Sequence, residues 1–181
     1  LPAKLKFCVQ IIAAMIVILS GTRINIVLWP MTQALRTFSI PITLLWIVGM
    51  TNAVNLIDGL DGLAAGVTAI ASICLMVLCA ITGSIEAVVF TAALSGACLG
   101  FLPRNFNPAE LFMGDTGSTF LGFVLGVTSV MGVFKGYALL ALIVSVLCLG
   151  FPIFDTIFAI LRRLAKHQPI MQADRGHLHH K

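Results

Sequence analysis

The stretch AAGVTAIASICLMVLCAITG, residues 64–83, carries no charged side chain over 20 positions. About 20 apolar residues in a helix cross the hydrocarbon core of a bilayer, so this stretch predicts a transmembrane helix. Further stretches of the same character lie on both sides of it. The six predicted spans are 5–21, 40–57, 64–83, 85–103, 117–134 and 137–161, and the segment 22–39 is left unassigned.

The composition of the whole chain agrees with a membrane protein. Of its 181 residues, 59% are hydrophobic and 10% are charged, whereas a soluble domain carries about a quarter charged residues. This excludes a cytosolic globule, a disordered chain, a DNA-binding module and a secreted disulfide scaffold, and we expect no nucleic-acid partner. The predicted fold class is all-α, a polytopic transmembrane helix bundle of about six spans that forms a single integral membrane domain over residues 1–181.

Cysteines and paired glycines carry no functional signal of their own. The five cysteines all lie in apolar runs without a C-x-x-C pair, which is typical of small buried hydrophobic residues. Three glycine pairs fit G-x-x-x-G and predict helix packing. These pairs are Gly62/Gly66, Gly96/Gly100 and Gly122/Gly126.

The charged residues predict how the spans are oriented. If all six cross, the junctions 58–63, 104–116 and 162–181 share a side with Lys4, and that side holds eight of the eleven Lys and Arg residues. An excess of basic residues marks the cytoplasmic side. Six of the seven acidic residues lie at or near the same junctions. Because a carboxylate at membrane depth is costly, we expect a functional site on the cytoplasmic face, with 162–181 as a basic, histidine-rich cytoplasmic tail.

Four polar side chains recur at intervals of three in Asn52-Ala-Val-Asn55-Leu-Ile-Asp58-Gly-Leu-Asp61-Gly. This spacing aligns on a 3₁₀ turn but drifts around an α-helix, so the motif predicts a helix that ends in a polar loop at the membrane surface. An interfacial cap and turn is the alternative, since Asn, Asp and Gly are ordinary turn residues. Two amides in an apolar helix end favour a functional site.

A second motif, Phe112-Met-Gly-Asp115-Thr-Gly-Ser-Thr, opens the fifth predicted span. We expect Asp115 to cap the N-terminus of that helix, where free N–H groups suit a phosphate. Mg²⁺ takes one or two carboxylates together with substrate phosphates, and the amide oxygens of Asn52 or Asn55 are also suitable ligands. The two motifs together predict a Mg²⁺–diphosphate site. Asn105-Phe-Asn107-Pro108 predicts a folded loop that could be structural only.

The third motif, Asp174-Arg175-Gly176-His177-Leu178-His179-His180, follows a basic stretch. Arg and His side chains can neutralise a diphosphate and donate hydrogen bonds to its oxygens. Two alternatives stay open, a histidine tract that binds a transition metal and the remainder of a purification tag. The interleaved Leu178 and the preceding Asp-Arg-Gly argue against a tag.

These three motifs resemble those of the polyprenyl-phosphate N-acetylhexosamine-1-phosphate transferases, most closely the bacterial undecaprenyl-phosphate GlcNAc-1-phosphate transferases that initiate teichoic acid or O-antigen synthesis. The resemblance covers essentially the whole chain. It implies transfer of GlcNAc-1-phosphate from UDP-GlcNAc to undecaprenyl phosphate, with release of UMP, at the cytoplasmic face of the bacterial plasma membrane. It also implies Mg²⁺ as the cofactor, with Mn²⁺ as a substitute.

The same resemblance implies a role for each motif residue. Asn55 and Asp115 match metal-associated positions, and Asn52, Asn105 and Arg175 are expected to bind substrate. The catalytic residues implied are Asp58, Asp61, Asp115, His177, His179 and His180. The family also has an Asp-Asp pair on an earlier cytoplasmic loop, so we expect this chain to be the C-terminal part of a longer transferase.

Three other functions are weighed against this one. The related phospho-MurNAc-pentapeptide transferase usually has a different histidine motif. An intramembrane aspartyl protease also needs two membrane carboxylates, but it has no use for a basic histidine tail. A cation-coupled transporter places Asn and Asp at a broken helix near the midplane, whereas here they cluster at one face. The oligomeric state stays open, with a homodimer as one option.

Overall fold

The computed structural model describes residues 2–24 and 32–132, with side chains from residue 38 onward in the second range. These residues form five α-helices and no strand, so the all-α prediction is confirmed. The helices are α1 (Ala3–Leu19), α2 (Thr32–Ile57), α3 (Leu63–Ile81), α4 (Ile85–Asn105) and α5 (Gly114–Gly132). The sixth predicted span, 137–161, and the predicted tail, 162–181, lie outside the described residues.

Three of these helices contain a segment long and apolar enough to cross a membrane, namely Phe38–Ile57, Leu63–Ile81 and Ile85–Asn105. Helix α1 has 17 residues, at the short end of the range of about 17 to 25 that spans a bilayer. Helix α5 contains five glycines and five Ser or Thr residues, and it is not among these three candidate spans. The membrane helix bundle is therefore confirmed, and the described part of the chain supports three of the six predicted spans by length and hydropathy.

Helix α2 begins at Thr32, earlier than the predicted span. The apolar run is interrupted at Arg36, but a helical backbone continues through a charged residue, so hydropathy underestimated the helix. Two hydrogen bonds join Ile24, which follows α1 in the chain, to side chains of α2. The Ile24 N–H donates to Thr43 Oγ1 at 3.0 Å, and Ser39 Oγ donates to the Ile24 carbonyl at 2.8 Å.

Helices α2 and α5 pack closely because two glycines of α5 face α2. A Cβ atom on Gly122 would lie 2.7 Å from the Met50 carbonyl oxygen, and one on Gly126 would lie 3.3 Å from Ile47 Cα. This pair confirms the prediction of helix packing by G-x-x-x-G. A Cβ on Gly96 or Gly100 would meet nothing within 4 Å in the described part of the chain, so the prediction is not confirmed for that pair.

Successive helices alternate in direction, which brings one end of each of the five helices to the same end of the bundle. Lys6 near the start of α1 reaches Asn55 near the end of α2 and Asp115 at the start of α5. Gly62 before α3 contacts Asn105 at the end of α4. We call this end, formed by residues 2–10, 52–63 and 105–118, the polar end. It contains the predicted site residues that the structure describes.

Candidate active site

Four side chains from three helices form a hydrogen-bonded network at the polar end. Lys6 Nζ donates to Asn55 Oδ1 at 2.6 Å and to Asp115 Oδ2 at 3.2 Å. Asn55 Nδ2 donates to Asp115 Oδ1 at 3.2 Å and to Ser118 Oγ at 2.8 Å. The network therefore fixes the start of α1, the end of α2 and the start of α5 relative to one another.

Asp115 lies in the first turn of α5 and not at the predicted N-cap, because the helix begins one residue earlier at Gly114. Gly114 has a φ of 66°, a conformation that glycine adopts without steric cost. The Asp115 carboxylate still lies near the positive end of the helix dipole. The Asn55 amide, and after it the Lys6 ammonium, hold the pKa of Asp115 below its ordinary value, so this carboxyl is ionised at neutral pH.

Asp58 lies in the turn between α2 and α3 and is half-buried. Burial raises the pKa of Asp58, Ser118 offsets part of that rise, and the negative charge of Asp115 adds to it. Two carboxyl groups at the polar end thus have pKa values moved in opposite directions. Such a divergence is typical of sites where acidic residues take different chemical roles.

Asp61 holds the loop that joins α4 to α5. Its Oδ2 atom accepts hydrogen bonds from Asn107 Nδ2 at 3.2 Å and from the Ala109 N–H at 3.1 Å. A loop anchored in this way is the folded loop that the Asn and Pro residues predict. Asp61 therefore has a structural contact, whatever contact it makes with a substrate.

Asn105 joins the same loop to the start of α3. Its Oδ1 atom accepts from the Gly62 N–H at 3.2 Å, and its Nδ2 atom donates to the Leu111 carbonyl at 2.8 Å. The side chain is buried. Gly62 has a φ of 74°, and a Cβ there would lie 3.2 Å from the Phe106 ring, so both the backbone and the space favour glycine.

A cavity of about 240 Å³ opens between the α2–α3 turn and the start of α5. Its volume lies just below the range of about 300 to 1,000 Å³ that ligand pockets usually have, so it would hold part of a large ligand. The cavity brings together three of the predicted site residues. The lining residues are Asp58, Gly59, Leu60, Asp61, Asn105, Phe112, Met113 and Gly114.

Asn52 faces α1 one turn before Asn55. Its Nδ2 atom donates to Gln10 Oε1 at 2.7 Å and to the Val48 carbonyl at 2.8 Å, and Gln10 Nε2 donates to Asn52 Oδ1 at 3.4 Å. The structure thus places this predicted substrate-binding residue in a contact between two helices.

The sequence analysis did not predict three residues that make contacts at the polar end, namely Lys6, Gln10 and Ser118. A signal for the first two is present, because Lys6 and Gln10 are four residues apart and share one face of a mostly apolar helix. Ser118 follows Asp115 by three residues in the quoted motif, which places its hydroxyl on the same side of α5. The chain segments that face these residues could not be read from the sequence.

The side chains of Asn55 and Asp115 at the polar end suit a hard cation. No three His, Cys, Asp or Glu side chains cluster as a metal site within residues 2–24 and 32–132. However, the oxygens of Asn55 and Asp115 already converge on one positive charge, the Lys6 ammonium. A mixed set of amide and carboxylate oxygens suits Mg²⁺, which takes few protein ligands. The remaining predicted site residues, Arg175, His177, His179 and His180, lie outside the described part of the chain.

Comparison with known proteins gives one family and several relatives. A family model described as "Glycosyl transferase family 4" matches residues 1–133. The chain is 42% identical over 184 residues to the "Probable undecaprenyl-phosphate N-acetylglucosaminyl 1-phosphate transferase" of Bacillus subtilis (strain 168), covering 100% of this chain and 51% of that protein. It is 37% identical over 208 residues to the "Decaprenyl-phosphate N-acetylglucosaminephosphotransferase" of Mycolicibacterium smegmatis, covering 100% of this chain and 50% of that protein.

A third relative matches only part of the chain. The "Phospho-N-acetylmuramoyl-pentapeptide-transferase" of Moorella thermoacetica is 53% identical over 87 residues, which is 48% of this chain and 27% of that protein. The chain spans about half the length of the Bacillus subtilis and Mycolicibacterium smegmatis relatives, both of which match it throughout.

Proposed function

The chain belongs to glycosyl transferase family 4, and we propose that it carries part of the active centre of an enzyme that transfers GlcNAc-1-phosphate from UDP-GlcNAc to undecaprenyl phosphate. The products are undecaprenyl-diphospho-GlcNAc and UMP. The Bacillus subtilis and Mycolicibacterium smegmatis relatives support this reaction, since both match the whole chain and are named as polyprenyl-phosphate transferases of an N-acetylglucosamine phosphate. The proposed location is the bacterial plasma membrane, with the polar end on the cytoplasmic face, because the topology predicted from the sequence assigns eight of the eleven Lys and Arg residues to that side.

The observation that carries the proposal is the convergence of Lys6, Asn55 and Asp115. The reaction brings together two anions, a lipid phosphate and a diphosphate, so the site needs positive charge held in a fixed position. Lys6 supplies one such charge from a partly buried side chain, where it is screened less than a fully exposed charge. Asp115 stays ionised and balances that charge before substrates bind.

Asn55 and Asp115 would hold Mg²⁺, or Mn²⁺ in its place, and the bound cation would neutralise charge on the diphosphate. Arg175, His177, His179 and His180 are proposed to add hydrogen-bond donors to the same group. Asn105 and Asp61 keep the α4–α5 loop beside the cavity, where the nucleotide sugar is proposed to bind. Asn52 holds α1 against α2.

The proposed step is direct attack. An oxygen of the lipid phosphate forms a bond to the β-phosphorus of UDP-GlcNAc, while the bond from that phosphorus to the bridging oxygen breaks and UMP leaves with this oxygen. The nucleophile is already an anion, so the protein mainly positions groups and neutralises charge. A double displacement through Asp58 or another carboxylate is the alternative. A phospho-enzyme that is trapped during turnover in the wild type, and absent from Asp58→Asn, would establish the alternative.

The test uses the intact protein in detergent with undecaprenyl phosphate and Mg²⁺, following UMP release from UDP-GlcNAc. We expect turnover in the wild type, none in Asp115→Asn, and full turnover in Glu86→Gln, whose carboxylate lies at the opposite end of the bundle. Exchange of labelled UMP into UDP-GlcNAc, dependent on the lipid phosphate, separates a transferase from a protease or a transporter. If the wild type releases no UMP from any of several UDP-sugars, the proposal fails and a cation-coupled transporter takes its place.

A second donor calls for a direct comparison, because the match to a phospho-N-acetylmuramoyl-pentapeptide transferase reaches 53% identity over 87 residues. The matches that cover the whole chain favour the GlcNAc donor. Replacing UDP-GlcNAc by UDP-MurNAc-pentapeptide in the same assay decides between them. The mass of the purified protein in detergent would decide the oligomeric state, for which a homodimer is one option.

A further inference from the structure

Two polar contacts join α1 to α2 at the polar end. The outer contact is Lys6 with Asn55, and the inner contact is Gln10 with Asn52. Four residues of α1 separate Lys6 from Gln10, about 6 Å along the helix axis, and three residues of α2 separate Asn52 from Asn55, about 4.5 Å. Because the two helices run antiparallel, both contacts depend on the same axial register between them.

The inner contact is a reciprocal pair of amides. Asn52 Nδ2 donates to Gln10 Oε1 at 2.7 Å, and Gln10 Nε2 donates to Asn52 Oδ1 at 3.4 Å. Gln10 is only 8% exposed, so water cannot readily replace its partner. A buried amide that loses its partner is destabilised, and the amide pair therefore holds only when the two helices are in this register.

Deeper in the bundle, the α1–α2 contact is apolar. Ala14 packs against Ile47 and Val48, with Ile11 and Leu44 beside them. Apolar surfaces of this kind tolerate a small slide of one helix along another, because dispersion contacts are not directional. A single buried polar pair can define the register of two helices that apolar contacts leave loose.

We infer that Gln10 is a positioning residue that fixes the axial register of α1 against α2 and thereby holds the Lys6 ammonium between Asn55 and Asp115. A slide of one residue, about 1.5 Å, would break the amide pair and carry Lys6 away from the Asn55 oxygen. The effect of Gln10 on turnover rests on the proposed function, whereas its effect on the register does not. Gln10 acts through Lys6 and is not itself a catalytic residue.

The first test is a double-mutant cycle with UMP release by the intact protein. Gln10→Met keeps the side-chain length and removes the hydrogen bonds. We expect it to lower kcat about tenfold when Lys6 is present, and by less than twofold in the Lys6→Met background, since contacts that act through one another are not additive. A purely structural role would give the same loss in both backgrounds, and that result would overturn the inference.

The second test measures the register without any turnover. Spin labels at Ile12 of α1 and Phe38 of α2, both exposed, in a protein without its native cysteines, report a distance that lies mostly along the helix axes. We expect Gln10→Met to shift or broaden this distance distribution. Thr91→Val is the matched control, because the Thr91 hydroxyl is buried and donates only within its own helix.

A distance distribution that is unchanged in Gln10→Met would overturn the inference. If Gln10→Met does not fold, Gln10→Asn replaces it, since this variant keeps the amide but is one methylene too short to reach Asn52. If the wild type releases no UMP, the proposed function fails, and the distance measurement alone then decides the role of Gln10.

Discussion

The Lys6 ammonium lies 2.6 Å from Asn55 Oδ1, although 49 positions separate these residues in the chain. The same ammonium lies 3.2 Å from Asp115, which belongs to a third helix, and the Lys6 side chain is only 25% exposed. A charge held by two partners in a partly buried position is less mobile and less screened than one on a surface. Lys6 therefore acts as a fixed positive charge at the polar end.

Removing this charge should lower turnover strongly. Lys6→Met retains much of the side-chain length without the ammonium, and we expect kcat for UMP release to fall about 100-fold, as when one preorganised electrostatic contact is removed from an active site. Lys4→Met is the matched control, because Lys4 is exposed two residues earlier on the same helix. Equal losses in the two variants would contradict a specific role for Lys6.

Asp58→Asn should stabilise the protein. The folded state raises the pKa of Asp58 above its ordinary value of 3.8 through burial, so the fold favours the protonated carboxyl. The stability that this group contributes is present below pH 3.8 and is lost as pH rises through the higher folded pKa. Once the carboxyl of the wild type is ionised it is a half-buried anion, and the neutral amide of Asn removes that cost.

Thermal unfolding in detergent, measured over a pH series that runs from acidic to neutral pH, checks this expectation. The midpoint of Asp58→Asn should lie above that of the wild type, and its fall with rising pH in the acidic range should be smaller. A lower midpoint for Asp58→Asn would show that the carboxylate is stabilised by contacts that outweigh its burial.

Asp61→Ala should have the opposite effect on stability. Asp61 accepts two hydrogen bonds from the α4–α5 loop, and losing hydrogen bonds to a charged group costs about 1–3 kcal/mol. We expect a lower thermal midpoint and earlier proteolytic cleavage within residues 106–111. An uncleaved loop at wild-type stability would mean that the loop is held without Asp61.

The two glycines that pack against α2 provide a test of the fold. In Gly122→Ala the new Cβ would meet the backbone at Met50 and Thr51, at 2.7 and 2.8 Å. We expect a loss of about 1–3 kcal/mol in the free energy of unfolding, as for overpacked cores. Gly100→Ala is the matched control, because its Cβ meets no described atom within 4 Å, and alanine favours a helix by about 0.5–1 kcal/mol over glycine.

The sequence was sufficient for features that depend on local composition. A 20-residue apolar run predicts α3, and the polar residues at 52–61 predict where α2 ends, because hydropathy and turn propensity are properties of the segment itself. The start of α2 at Thr32 was not predictable in this way, because the helical backbone extends beyond the apolar run from which the span was predicted. Asp115 was predicted to cap α5 but lies within its first turn, because the helix begins at Gly114, which has a positive φ.

The contacts of the site depended on the tertiary arrangement and could be predicted only in outline. Counting the predicted spans places Asp58, Asp61 and Asp115 on the same side of the membrane. In the structure the three residues do lie together at the polar end. The amide pair of Gln10 and Asn52 requires a register between two helices that no single segment defines. Lys6 lies close to a second lysine in the sequence, and only the fold shows which of the two faces Asp115.

Asp115→Asn should weaken cation binding independently of turnover. The amount of Mn²⁺ bound to the intact protein can be measured from the loss of the electron paramagnetic resonance signal of the free ion. This measurement needs neither nucleotide sugar nor lipid phosphate. In the wild type the ionised Asp115, with its pKa held low by Asn55 and Lys6, offers a carboxylate oxygen to a hard cation. We expect the Kd for Mn²⁺ to rise about tenfold or more in Asp115→Asn, because a neutral amide oxygen attracts a divalent ion less than a carboxylate does.

Glu110→Gln is the control for this measurement. Glu110 is an exposed carboxylate at the same end of the bundle, and its nearest cationic partner is Arg104 at 3.9 Å, so removing its charge alters the local field without touching the network. Its Kd for Mn²⁺ should stay within about twofold of the wild-type value, because a distant surface charge is largely screened. If both variants weaken Mn²⁺ binding equally, the ion responds to the overall negative charge of the polar end, and Asp115 is not a ligand.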